Sequence, residues 1–325
     1  MHDSPLLVAQ HFINDKKLLS PGTTVIVGFS GGPDSLFLLL LLVKLQELYN
    51  LKIIAAHLDH GWRTTSHEDK DFCQNFAEKL GVPFVSAHAS QLTPERKANG
   101  SLEETGRYLR RQFFEETANT YGAQAIALAH HRDDQHETFF IRLLRGAGVT
   151  GLSGMWPQQG LYIRPLLTLS KSAIVNYLDS NNYTYLTDPT NQSDLFLRNK
   201  IRNSVLPTLA TCDSRLSNSL ERTIDNLQEA ELFLKELTTK TYNTITIIHE
   251  NSKILLVKDF LNLNLFLQKR VLVEWLCSYQ VPFTPSHNFF AEIIHFLEQP
   301  ESKTHKLHSS WSISKKKNQA TIIKQ

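Results

Sequence analysis

Residues 25–35, VIVGFSGGPDS, carry the densest chemistry in the chain. A β-branched run, a glycine-rich turn and a helix start in succession make an anion site. Gly31 and Gly32 allow a tight backbone, and the hydroxyls of Ser30 and Ser35 join the first free N–H groups of a helix opened by Pro33. The turn lacks the Gly-Lys-Ser/Thr ending that holds a γ-phosphate for transfer, so it is expected to grip pyrophosphate as a leaving group. Asp34 repels a bare phosphate, and Mg²⁺ between the two removes the conflict. A second cluster, residues 130–155, opens with His130 and His131 and continues through Asp133 and Asp134. Adjacent carboxylates at a helix start diverge by about 100°, so one can serve Mg²⁺ and the other act as a base, in either order. Arg142 and Arg145 follow about two to three turns later and can face phosphate.

The elements that must position these residues are legible in the hydrophobic pattern. Strands are expected at 24–29, 52–58, 83–87 and 125–129, with helices at 35–48, 68–80 and 102–121 between them. That alternation predicts an α/β fold with an open parallel sheet and helices on both faces. Ligands dock at the carboxyl ends of such strands, where the glycine-rich turn falls. After Pro207 the pattern changes. Leu216, Leu220, Ile224, Leu227, Leu234 and Leu237 recur at helical spacing, and further helices are expected at 266–279 and 287–296. A loose alternation over 306–323 reads as a hairpin. The expected division is a catalytic domain over 1–207 and a smaller, mainly helical domain over 208–325.

Composition narrows the class. With 325 residues, 41% hydrophobic, 10% aromatic and 20% charged, the chain is globular and excludes disordered and fibrous classes. Cys73, Cys212 and Cys277 are too far apart for a CxxC site or a disulfide framework, which suits a reducing, cytoplasmic compartment. The first 19 residues lack a signal-peptide pattern, and the apolar run 36–43 is far short of the ~20 residues that span a bilayer, so no membrane association is expected. Net charge is +2, yet six lysines and one acidic residue lie after position 300. That basic end suits a polyanion, or simply a solvated terminus.

The turn SGGPDS resembles the pyrophosphate loop of the ATP-pyrophosphatase (PP-loop) superfamily. Three further segments resemble its tRNA(Ile)-lysidine synthetase family. HLDHGWR, residues 57–63, is similar to that family's HxDHxxR segment, and the backbone of 54–58 is suited to pairing with adenine; His57 and His60 act there either as contacts or as structural side chains. HHRDDQHETFFIRLLRGAGVTGLSGM, residues 130–155, is similar to its HxxDDQxET…RLLRGxGxxGLxGM pattern. RPLLTLSK and DPTNQSDLFLRNKIRNSVLP, residues 164–171 and 188–207, match its RPLL and DPSN…RNxIR segments. Asn199 among them has a plain alternative as a helix cap. The family's ExxARxxRY helix appears as residues 103–111, with Gly106 for alanine and Arg111 for tyrosine. Gly106 weakens the helix by ~1 kcal/mol. The resemblance covers nearly all of 24–207, and the chain is expected to stop after the first C-terminal domain of the longer members.

The resemblance implies a ligase that adenylylates the wobble cytidine 34 of tRNA(Ile) with a CAU anticodon. The ε-amine of free L-lysine then attacks C2, giving lysidine, AMP and pyrophosphate. It implies ATP binding by Ser30, Gly31, Gly32, Pro33, Asp34 and Ser35, with His57 and His130 beside the nucleotide. Asp34, Asp133, Asp134, Arg107 and Arg110 are the implied catalytic set, with Mg²⁺ on Asp34 and Asp134. Arg142, Arg145, Arg164, Asn191, Arg198 and Arg202 are the implied tRNA contacts, since arginine and asparagine suit phosphates and nucleotide edges. Two alternatives stand beside this one. A tRNA thiolase on the same loop needs paired cysteines or a cluster set that this sequence lacks, and a nucleotide-binding module needs no turnover. A homodimer stays open.

Overall fold

The computed structural model describes residues 4–61, 66–92, 102–187, 197–250 and 252–324. The chain divides into two compact units, Met1–Asp225 and Asn226–Gln325. The first unit opens with α1 (Pro5–Asp15), β1 (Thr24–Gly28), α2 (Pro33–Tyr49), β2 (Lys52–Asp59), α3 (Ser66–Lys79) and β3 (Phe84–His88). It continues with α4 (Leu102–Tyr121), β4 (Ala125–Ala127), α5 (Arg132–Leu144), α6 (Val149–Leu152), β5 (Gln158–Gln159), β6 (Tyr162–Ile163) and α7 (Lys171–Ser180). The six strands lie in the order β3-β2-β1-β4-β6-β5, parallel except for the β5–β6 pair.

The strand pattern sorts side chains onto two faces with a period of two. Val25, Val27, Ile53 and Ala55 join one core with α1, α2, α3 and α7, while Ile26, Ile54, Ala56 and Leu58 join a second core against α4. Helices therefore cover both faces, as the alternation of elements predicts. α2 runs through the larger core, and Leu36, Phe37, Leu38 and Leu39 are all fully buried. A helix apolar all round must be enclosed. Truncating one of these leucines to alanine is expected to cost ~2–5 kcal/mol. The helix closes at Asn50, whose left-handed backbone (φ +49°) returns its N–H to the last carbonyls. β1 sits at the switch point of the sheet, with β2 and β3 on one side and β4 and β6 on the other. The loop after β1 thus opens where the fold offers a crevice.

After α7 come α8 (Leu197–Lys200), a π-helical stretch Ile201–Val205, α9 (Leu206–Cys212) and the long α10 (Leu216–Ile245). Pro207 has no N–H to give to the turn before it, which accounts for the π register just upstream. The two units divide inside α10, downstream of the change in pattern at Pro207. Arg132 and Glu221, 3.2 Å apart, tie the opening turns of α10 to α5.

The second unit adds β7 (Thr246–His249), β8 (Ser252–Leu256), α11 (Val257–Leu261), α12 (Leu265–Ser278), α13 (His287–Glu298), β9 (Thr304–His308), β10 (Trp311–Lys316) and β11 (Gln319–Lys324). α12 and α13 lie where the periodicity predicts helices, while the short α11 is not anticipated by it. The expected terminal hairpin is β10–β11, with Ile313 opposite Ile322, but it belongs to a five-stranded antiparallel sheet ordered β7-β8-β11-β10-β9. The unit is therefore less purely helical than its leucine spacing suggests. Trp275, Phe260, Leu297, Ile313 and Ala320 are fully buried in its core. Among the described residues no helix is long and apolar enough to cross a membrane.

Candidate active site

The loop between β1 and α2 is shaped by three glycines for three reasons. Gly28 lets β1 pass α4, since a Cβ there would lie 2.9 Å from the Phe114 ring. Gly31 has φ +79°, and a Cβ would meet Leu186 Cδ1 at 2.6 Å and Cys73 Sγ at 3.0 Å. Gly32 caps α2 with no side-chain hydrogen bond, which leaves the first turn's donors to a ligand. Ser30 and Ser35 lie Oγ to Oγ at 3.1 Å, and the Ser30 N–H donates to Ser35 Oγ at 3.2 Å. The loop is covered by the Leu186 segment, whose N–H donates to the Gly31 carbonyl.

This loop forms one wall of a cavity of about 730 Å³. His57, His60, Arg110, His130 and Lys171 line the rest, with Pro33 and Asp34 at the mouth of α2. His57 is buried, its Nδ1 2.9 Å from the Phe29 carbonyl, and burial lowers its pKa despite that bond. His60 Nε2 accepts from Arg110 Nη2 at 3.0 Å, and burial brings its pKa down to about 4 with Arg110 adding to the effect. His130 is likewise held at about 4 by burial, and its Nδ1 is buried without a hydrogen-bond partner among the described residues. All three rings are therefore neutral at pH 7.

Positive charge collects beside them. The Arg107 guanidinium makes no hydrogen bond among the described residues, and its charge acts on Arg110, His130, Arg142 and Arg164. Burial is the main cause that lowers the pKa of all three of these arginines. Three guanidiniums, of Arg164, Arg107 and Arg198, thus act on the neutral His130. The arginine at 111 takes up the space of a missing ring in its own way: it lies 5.2 Å over the Tyr162 ring and donates to Glu115 at 2.8 Å.

The aspartates separate, as adjacent positions at a helix start must. Asp34 holds Lys171 Nζ at 2.7 and 2.6 Å through both oxygens. Asp133 accepts the backbone N–H of Lys171 at 3.0 Å. Asp134 takes the His131 N–H on Oδ2 and Arg198 Nη2 on Oδ1, each at 3.0 Å. Burial pushes the Asp134 carboxyl up, but His131, Arg198 and His130 outweigh it and hold the pKa below the usual carboxylate value. Of the three, only Asp34 lines the cavity.

The remaining predicted residues form a frame around it. Glu137 is fully buried and accepts from Arg198 Nε at 2.7 Å and from Arg202 Nε at 2.5 Å. Arg142 Nη1 clamps the carbonyls of Gly151 and Gly154 at 2.7 and 2.9 Å, while Arg164 Nη1 donates to the Trp156 carbonyl at 2.7 Å. Gly154 has φ +70°, and a Cβ there would lie 2.6 Å from Gln135 Oε1, which already accepts the Met155 N–H. Arg145 is exposed at the end of α5. Asn199 is buried inside α8 rather than at a cap. Asn191 and Arg63 lie outside the described residues. Sequence reasoning gave no role to Lys171, His131 or Glu137. Lys171 closes the RPLLTLSK segment, so its place in a family-like motif was the one available signal.

A PP-loop domain family matches residues 7–209 of the chain. A tRNA(Ile)-lysidine synthase of Geobacter sulfurreducens is 39% identical over 238 residues, covering 72% of this chain and 50% of that protein. One from Bacillus cereus is 31% identical over 312 residues, covering 93% and 65%. The chain thus spans from half to just under two thirds of the length of these curated relatives. Among solved structures, the U34-tRNA thiolase NcsA from Methanococcus maripaludis, with its [4Fe-4S] cluster, superposes with a TM-score of 0.57 at 19% identity. That overlay covers 69% of this chain and 80% of that one, and it speaks to fold alone.

Proposed function

The chain belongs to the PP-loop domain family, and from that premise we propose that it binds ATP and ligates free lysine to the wobble cytidine of tRNA(Ile) bearing a CAU anticodon. The observation that carries this reading is the loop after β1: two serine hydroxyls and an uncapped helix start, with no lysine of its own, facing a cavity of nucleotide size. Relatives named for lysidine formation supply the substrate class.

The β- and γ-phosphates rest on Ser30, Ser35 and the first N–H groups of α2, with the adenine along the end of β2. The cytidine O2 displaces pyrophosphate at the α-phosphate, and the lysine ε-amine then attacks C2 and releases AMP. Arg107 and Arg110 stand where negative charge grows, and the neutral His130 adds no competing charge of its own. A lysine ammonium, with a pKa of ~10.4, has to lose a proton before it attacks. Asp133 suits that step better than Asp134, both of whose oxygens are engaged and whose pKa is held low.

Mg²⁺ would neutralise phosphate charge at this site. Asp34, which lines the cavity beside the loop, is the carboxylate that would hold it there. Asp34 fits that role and Asp134 does not. Sulfur transfer has little support from the cysteines: Cys73 is buried with its thiol pushed up to about 12, and Cys212 and Cys277 sit in different units.

The test is AMP release with ATP, lysine and a tRNA(Ile) transcript. AMP is expected only when lysine and tRNA are both present, with lysine recovered on C34. AMP formed without tRNA would overturn the substrate assignment, and ADP in place of AMP would overturn the loop assignment.

A further inference from the structure

A phosphate loop without a lysine is short of charge: three phosphates bring about four negative charges at neutral pH, and hydroxyls and amides offset them only in part. The fold brings a lysine to this loop from 137 residues away. Lys171 lines the cavity, and its ammonium sits on both oxygens of Asp34, the carboxylate closest to the loop's helix start. Two features suit it to move. Its backbone is fixed, because its N–H is held by Asp133 and it opens α7, capped by Ser170. Its side chain is not enclosed, with 39% of its surface exposed against 26% for Asp34. A half-exposed ion pair is worth little and exchanges easily. The same pair also blocks the site as it stands: a carboxylate with both oxygens on one ammonium cannot at that moment coordinate a divalent cation.

We propose that Lys171 is a phosphate-binding residue held in reserve on Asp34. When nucleotide enters, its ammonium passes from the carboxylate to the β- and γ-phosphate oxygens, and Asp34 is released to the Mg²⁺ that accompanies them. Lys171 thereby supplies in space the cation that the loop lacks in sequence. This deepens the proposed function and rests on its reading of the loop.

Nucleotide affinity, measured by calorimetry without tRNA, tests it independently of turnover. Lys171→Met is expected to weaken ATP binding by about tenfold or more, as loss of a charge-assisted contact does. AMP, which lacks the outer phosphates, should bind that variant as it binds the native chain, and Lys171→Arg should restore much of the difference. Lys171→Gln serves if the methionine variant fails to fold. Equal weakening for ATP and AMP, or none for either, overturns the proposal. A second arm uses EDTA: Asp34→Asn should bind metal-free ATP several-fold more tightly than the native chain, because it releases the ammonium, and weaker binding would overturn the exchange. If the native chain binds neither nucleotide, the loop assignment itself fails, and the proposal falls with it.

Discussion

Arg198 donates from Nε to the fully buried carboxylate of Glu137 at 2.7 Å, and so pins α8 to α5. Arg202 repeats the contact from the π-helical stretch that Pro207 imposes. The three charges are not equivalent: Glu137 has no exposed side-chain surface, whereas the arginines keep 28% and 37% of theirs. Arg198→Ala with Arg202→Ala therefore strands a buried carboxylate, with an expected cost of ~3–5 kcal/mol. Glu137→Gln leaves two guanidiniums that can turn to water and should cost less. Urea unfolding measures both, and a double variant as stable as the native chain would contradict the anchor.

The same geometry separates arginines that build the site from those free to meet RNA. Arg145 is exposed, and its guanidinium makes no hydrogen bond among the described residues, while Arg202 is spent on Glu137. Arg145→Ala should lower the slope of log affinity for tRNA against log salt by about one and leave the unfolding midpoint alone. Arg202→Ala should lower the midpoint and leave the slope. Filter binding over a salt series reads the contrast, and the reverse pattern would return Arg202 to the interface.

Sequence pattern and tertiary placement part company at these residues. β1, α2 and the turn between them are legible because a β-branched run, a Gly-Gly-Pro and a leucine-rich helix are local signals. The two-faced sheet is legible because its strands alternate. Lys171 on Asp34 and Arg198 on Glu137 are not, since no local period says which charge meets which across 137 or 61 residues. Sheet order and the π turn decide those meetings. The hairpin β7–β8 was hidden for another reason: Thr246–His249 follows directly on a thirty-residue helix and alternates too briefly to be read apart from it.

Gly31 is where a single methyl group should have the largest effect. Its φ of +79° costs an L-residue ~1–2 kcal/mol, and the added Cβ would strike Leu186 Cδ1 and Cys73 Sγ. Gly31→Ala should abolish ATP binding in calorimetry while far-UV circular dichroism stays native, because the clash lies in a loop. Native affinity in that variant would mean the loop does not hold phosphate.

The lysines after position 300 divide into one that is buried and structural and others at the surface, among them Lys303, paired with Glu301, and Lys324, over the Trp311 ring. Lys315 is buried, with Nζ donating to the Leu297 carbonyl at 2.6 Å and to the Gln299 carbonyl, so it closes the end of α13. Deleting the segment would remove Ile313, Ala320 and Ile322 from the core and unfold the second unit, whatever its part in RNA binding. Point changes are the clean test. Lys316→Ser with Lys317→Ser should flatten the salt dependence of tRNA affinity at unchanged stability. Lys315→Met should cost ~1–3 kcal/mol by leaving two carbonyls unpaired. An unchanged salt slope in the first variant would make the basic end a solvated surface only.

Acid should destabilise the chain well before its carboxylates titrate. His60, His130 and His136 are each held at about 4, chiefly by burial, against ~6.5 in an unfolded chain. Between those values the unfolded state binds more protons than the folded one, so their contribution is complete above pH 6.5 and is lost as pH falls toward 4. His136 gives the sharpest readout. It is buried on α5, and its Nε2 has no hydrogen-bond partner among the described residues. Unfolding free energies at pH 7, 6 and 5 should therefore decline for the native chain, and His136→Gln should shallow that decline by up to ~1 kcal/mol per pH unit, whatever its stability at pH 7. A native chain equally stable at pH 7 and 5, or a variant with the same slope, would mean that these rings take up protons in place.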